Sequence, residues 1–219
     1  MEKGKGAFYR IHWLWNIIRN GLFLYGLTNR LAKIGIDIDA YYWELEGLTL
    51  GCAEPVIRDD PRAYTLEYLE QDEIVRLSDR IIGIPRTDII KKFEEGNKCI
   101  GLRHESGEIA AYMFISTQSF VNKHRKFELD EDEAYLLAMY TFEEFRGKNL
   151  APYLRYKSYE LLWKEGRKRL YSLTVALNKS SLNFKKKLNV EHLKLFLYIG
   201  LFNKVHWNFL LKTYGRVKQ

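Results

Sequence analysis

Apolar and polar positions change their rhythm at about residue 60. Over residues 8–33, Ile11, Leu14, Trp15, Ile18, Leu22 and Tyr25 recur at helical spacing. Trp13, Ile17, Phe23 and Leu24 widen this apolar arc beyond a single stripe, and Gly21 and Gly26 predict a break within the helix. A short strand is expected at 41–45. Residues 51–61 then bring turn formers without any period, which sets the boundary between an N-terminal helical extension, 1–60, and a second domain, 61–219.

Past that boundary strands and helices alternate. Residues 64–69 predict a strand. Gln71 opens a helix with Ile74, Leu77 and Ile81 on its apolar face, and a second helix follows Pro85 with Thr87 as its N-cap. Residues 98–103 and 108–116 flank the turn Glu105-Ser106-Gly107, a hairpin pattern. Residues 133–141 are apolar at nearly every position, which predicts a strand buried on both faces. A polar loop at 143–151 leads into a helix to about 164, which Gly166 stops. A strand at 170–177, a short helix at 180–188 and strands at 192–199 and 206–214 complete the chain. Strands 133–141 and 170–177, joined by a helix, are expected to be parallel neighbours.

Composition narrows the class. The 219 residues carry a formal charge of +7, with 47% hydrophobic and 15% aromatic residues, which excludes a disordered or fibrous chain. The two cysteines, Cys52 and Cys99, are far apart, so neither a disulfide scaffold nor a cysteine zinc cluster is expected, and no His/Asp/Glu spacing suggests a metal. Polar residues His12, Asn16, Arg19 and Asn20 interrupt the most apolar stretch, 11–27. No membrane span or signal peptide is expected, and the cytoplasm is the expected compartment. The basic excess points to anionic partners. Helix-turn-helix, zinc-finger and RNA-binding aromatic motifs are absent, so a specific nucleic acid is not expected; a non-catalytic nucleic-acid-binding protein is the alternative from another class.

The informative segment is Arg146-Gly147-Lys148-Asn149-Leu150-Ala151, between a strand and a helix. The first amides of a helix have no internal acceptor and sit at the positive end of its dipole, so such a loop suits a phosphate or pyrophosphate. The segment resembles the signature Gln/Arg-x-x-Gly-x-Gly/Ala of the GCN5-related N-acetyltransferase (GNAT) superfamily. Arg146 and Ala151 match, and Asn149 stands where the middle glycine is usual. A second family element, Asn-x-x-Ala/Ser, is present as Asn178-Lys179-Ser180-Ser181. The resemblance spans about 63–214, including the order of elements.

That resemblance implies an α+β (mixed α/β) GNAT-like acyltransferase fold, with a central, mostly antiparallel mixed sheet flanked by helices. It implies acetyl-CoA or another acyl-CoA as donor. The pantetheine arm would lie along Met139, Tyr140 and Thr141. The pyrophosphate would rest on the amides of Arg146, Gly147, Lys148, Asn149, Leu150 and Ala151. Asn178 and Ser181 would lie near the thioester, with Lys168 or Lys185 as candidates for the 3′-phosphate. The expected reaction is direct attack of a small-molecule primary amine on the thioester. Glu133 is the expected base, with Tyr135 on the same face, and Ser181 or water is a source of the acid because Lys185 stands where the family often has tyrosine. His192 and His206 read as structural or surface histidines. A long-chain acyl-CoA or an acyl carrier protein as donor is the second alternative, and binding of acyl-CoA without turnover the third. The basic, aromatic N-terminal helix is expected to pack on the acyltransferase domain; peripheral membrane contact and a homodimer contact are its other readings.

Overall fold

A computed structural model describes residues 22–81 and 84–215. It opens with helix α1 (Leu22–Lys33), which runs through Gly26 without a break. The expected helix upstream of it, with Leu14, Trp15 and Ile18, lies outside the described residues. Strand β1 (Ile36–Glu46) follows, more than twice the expected length. Its odd positions Tyr41, Trp43 and Leu45 pack into an aromatic cluster with Tyr171 and Phe196, while Glu44 and Glu46 point to the opposite face and are also fully buried.

Strands β2 (Tyr64–Leu69), β3 (Lys98–His104), β4 (Ile109–Ser116) and β7 (Glu133–Thr141) form one antiparallel blade. Between β2 and β3 lie α2 (Gln71–Arg76) and α3 (Arg86–Glu94). The N-cap of α3 is Pro85 rather than Thr87, since proline presets the dihedral angle a helix start requires. A small hairpin of β5 (Phe120–Asn122) and β6 (Arg125–Phe127) covers the aromatic cluster; its three-residue strands are too short to show alternation in sequence. Helix α4 (Leu150–Lys164), strand β8 (Arg169–Val175), helix α5 (Lys179–Lys186) and strands β9 (Glu191–Leu201) and β10 (Val205–Thr213) complete the fold.

The eight-stranded sheet runs β10-β9-β1-β8-β7-β4-β3-β2. β1 sits antiparallel between β8 and β9, so the sheet starts inside the segment that the sequence assigns to an extension. The physical reason is pairing: β8 and β9 each leave an edge that β1 fills, and an aromatic strand of that length buries itself there. The second blade is therefore β8-β1-β9-β10. The two blades meet through only three parallel pairs, Glu133 with Arg169, Ala134 with Leu170 and Tyr135 with Tyr171. Beyond them the expected parallel neighbours diverge. Ala138 has a φ of 48°, and the β4–β7 register shifts between Tyr112 and Phe114, so a bulge turns β7 away from β8. The second half of β7 is only half-buried, not covered on both faces as the sequence implied.

Candidate active site

The gap between the blades opens into a groove of about 490 Å³. Met139, Tyr140 and Thr141 of β7 form one wall, and Arg146, Gly147, Asn149, Leu150 and Ala151 form its end. Ser180, Ser181 and Phe184 of α5 face them. Gly147 has a φ of 81°, and Asn149, the N-cap of α4, has φ 67° and ψ 25°. Both are left-handed, and asparagine tolerates that region better than other non-glycine residues. Its side chain is anchored as well: Nδ2 donates to the Val56 carbonyl at 2.7 Å, and Oδ1 accepts from Lys187 Nζ at 2.8 Å. The amides of Leu150 and Ala151 open the helix without an intrahelical acceptor.

The segment before β2 supports this loop. The Arg58 amide donates to the Lys148 carbonyl at 2.9 Å, and Lys148 Nζ pairs with Asp59 at 2.7 Å. That bond and one from the Tyr64 hydroxyl hold the Asp59 carboxyl down at about 2. The Lys148 side chain is thus turned away from the groove. Arg58 and Lys187, which the sequence did not single out, line it together with Arg146. Arg146 braces the loop, its Nε donating to the Thr141 carbonyl at 3.1 Å.

Three expected coenzyme contacts are not brought to the groove. Asn178 is the N-cap of α5, and its Oδ1 accepts the Ser181 amide at 3.1 Å. The Lys168 amide is bonded to the Asp132 carbonyl, at the far end of the β7–β8 pairing. Lys185 points through to the opposite side of α5, into a layer of buried charge. Its Nζ donates to Glu44 Oε2, Ser172 Oγ and Thr174 Oγ1, each at 2.5 Å, and lies 3.2 Å from Glu46. An ammonium that is 4% exposed requires such partners. Glu46 also pairs with Arg155 at 3.1 Å and accepts from Tyr159 at 2.6 Å. Burial alone would raise the Glu46 carboxyl. The charges of Arg155 and Lys185, with hydrogen bonds from Ser172 and Tyr159, overcome this and hold it at about 2.

Tyr135 and Leu137 of β7 line a second cleft of about 450 Å³. Its walls include Ser116, Gln118, Phe120 and Asn122, with Glu95 as the carboxylate. Phe120 stacks on Tyr135 with centroids 4.0 Å apart. Burial raises the Tyr135 hydroxyl well above its ordinary range. Glu133 is not among the residues lining this cleft. Its carboxylate accepts from Tyr171 at 2.9 Å and from the Asp130 amide at 3.0 Å, and pairs with Arg169 at 3.2 Å. Asp130, Asp132 and Glu133 form the one acidic trio among the described residues with metal-like proximity, and Arg169 pairs with all three.

No family model and no curated protein matches the chain in sequence. Solved structures match its fold. A GCN5-related glucosamine N-acetyltransferase region of a fungal multi-domain GH3 beta-N-acetylglucosaminidase aligns with a TM-score of 0.56 at 14% identity, over 83% of this chain and 22% of that one. A GNAT-family acetyltransferase from Colwellia psychrerythraea gives 0.53 at 13% identity, over 76% of this chain and 57% of that one. A tandem GNAT protein from the clavulanic acid biosynthesis pathway, solved without acetyl-CoA, gives 0.52 at 16% identity, over 87% and 60%. This chain has the fold of the GCN5-related N-acetyltransferases, and it spans about three fifths or less of the length of these neighbours.

Proposed function

We propose that this protein is an acyl-CoA-dependent N-acyltransferase, with acetyl-CoA as donor and the primary amine of a small molecule as acceptor. The observation that carries this reading is the parting of β7 and β8 after Tyr135 and Tyr171, beside a loop whose left-handed residues 147 and 149 turn helix amides toward the opening. Acyl-CoA supplies an activated thioester when bound. The chain's residues bind and orient it: the loop amides with Arg58, Arg146 and Lys187 take the pyrophosphate, and the edge of β7 takes the pantetheine. The acceptor enters from the 450 Å³ cleft, where Glu95 receives its ammonium group. Tyr135, on the cleft wall, orients the acceptor there, and the Ser181 hydroxyl lies on the groove wall. Glu133 supports this arrangement through Tyr171 and Arg169 rather than acting as the base. The two free thiols, Cys52 and Cys99, suit a reducing cytoplasm, and no helix among the described residues is long and apolar enough to cross a membrane.

Free-thiol release from acetyl-CoA across a panel of small amines tests the activity, and calorimetry with acetyl-CoA tests the groove. Saturable binding and turnover with at least one amine are expected. Gly147→Asp, which places a carboxylate among the loop amides, should abolish both. Glu95→Gln should raise KM several-fold with kcat little changed, the pattern of lost acceptor binding. An intact protein that fails to bind acetyl-CoA overturns the reading.

A further inference from the structure

Exposed apolar side chains gather at one end of the large sheet. β1, β9 and β10 pair so that Ile38, Ile199 and Trp207 lie side by side on one face, followed by Ala40, Leu197 and Phe209. None of the six is buried, and Ile38, Trp207 and Phe209 are 39%, 43% and 48% exposed. The opposite face of the same strands is covered. There Lys123, in the turn of the β5–β6 hairpin, pairs with Asp37 at 2.6 Å, and Arg125 Nε donates to Asn208 Oδ1 at 3.1 Å. Further along β1, α4 and α5 seal the first face over Glu44 and Glu46. Beyond those helices it stays half-open, and β10 is the edge of the sheet. At this end the Phe202 amide donates to the Gly35 carbonyl at 2.5 Å, which sets the β9–β10 turn beside the α1–β1 turn; Phe202 and Ile34 are both exposed there.

We propose that this end of the sheet is a docking surface for an anionic lipid bilayer, with Trp207 and Phe209 entering the interface and Lys33, Lys204 and Lys212 meeting the lipid phosphates. A contiguous exposed apolar face marks an interaction surface, and charge selects its occupant. Residues 3–36 and 192–219, which supply α1, most of β9 and all of β10, contain no aspartate or glutamate. Lys33 ends α1, Lys204 lies in the β9–β10 turn, and Lys212 sits opposite Leu195, continuing the apolar face. The first carboxylates of β1, Asp37 and Asp39, pair with Lys123 on the other side. A second copy docked on this face would set cation against cation. Residues 1–21 carry Lys3, Lys5, Arg10 and Arg19 against Glu2 alone, so the chain's own N-terminus shares that sign. An anionic lipid surface answers both charges, and it accepts indole rings and lysine stems at the headgroup level. β8 and β7, which border the acyl-CoA groove, lie on the far side of β1 from β10, so the proposal stands whether or not the chain transfers acyl groups.

The test uses the full chain and vesicles of phosphatidylcholine, alone or with added phosphatidylglycerol, separated from free protein by flotation. The protein is expected to float with the anionic vesicles and not with the neutral ones, and salt should release it. Replacing Trp207→Thr and Phe209→Thr together, at exposed strand positions that threonine suits, should lower the affinity more than about tenfold. Lys33→Gln and Lys204→Gln should each lower it about fivefold, with circular dichroism and melting temperature unchanged. Both lysines are exposed, so these two variants decide the matter if the aromatic pair fails to fold. No flotation of the wild type, equal flotation with neutral vesicles, or undiminished flotation of the folded sheet variants, which would leave the anchoring to residues 1–21, would overturn the proposal. A dimer seen by sedimentation without lipid, and dissociated by the Trp207→Thr, Phe209→Thr variant, would overturn it too and assign the face to a second copy.

Discussion

The two sides of α5 carry opposite kinds of polar surface. On the groove side, polarity is supplied by backbone amides at a helix start and by cations at the protein surface. On the other side four formal charges, Glu44, Glu46, Arg155 and Lys185, are sealed between the sheet and the helices, none more than 4% exposed. A site made of backbone depends on a few dihedral angles and tolerates changes in side chain. A buried charge layer depends on every member, because removing one strands its partner in low dielectric.

The largest expected effect tests that interdependence. Glu46→Ala leaves Arg155 without a carboxylate and should cost about 3–5 kcal/mol, read from urea or thermal unfolding. The double replacement Glu46→Leu with Arg155→Met should recover much of this, since an apolar pair of similar volume avoids desolvation altogether. On the groove side, Lys187→Ala should stay within about 1 kcal/mol. Similar costs for Glu46→Ala and Lys187→Ala would erase the contrast.

Next comes acid. The Glu46 carboxyl lies at about 2 when folded against an ordinary 4.5. Between those values the unfolded chain binds more protons, so stability rises with pH there. The contribution is complete above about pH 4.5 and lost as pH falls through about 2, on the order of 3 kcal/mol in all. Unfolding titrations of wild type and the Glu46→Leu, Arg155→Met double variant should differ in slope in that window and run parallel above it. Parallel curves throughout would show that Glu46 is not held down.

The smallest effects belong to Asn149. Asn149→Gly keeps the left-handed loop and loses the bonds to Val56 and Lys187; stability and acetyl-CoA affinity should change by about 1 kcal/mol or less. Asn149→Val forces a β-branched residue to φ 67° and should cost about 1–3 kcal/mol in stability, with weaker coenzyme binding. Equal behaviour of the two variants would mean that dihedral angle does not govern the loop.

Much of the fold is local enough to read in one dimension. The bounds of β2 and β7 are those their patterns predict, and the loop at 146–151 announces itself by glycine, a basic residue and a following helix. Asn149 as a glycine substitute is legible too, since its tolerance of positive φ belongs to the residue. What periodicity cannot report is which strand lies beside which. The alternation of β1 identifies a strand, but its place between β8 and β9, across more than a hundred residues of sequence, depends on edges that exist only once the blades form. Likewise Arg58 and Lys187 join the groove only because two distant segments dock on one loop.

The same limit governs Glu44 and Glu46. Alternating with Tyr, Trp and Leu, they have the pattern of the solvent face of a strand. Sequence by itself determined that they share one face and that Tyr41, Trp43 and Leu45 share the other. Only the tertiary structure decided that α4 and α5 would cover the carboxylate face and bring Arg155 and Lys185 to it. A carboxylate's cost of burial depends on the charges opposite, and those charges come from helices more than a hundred residues away.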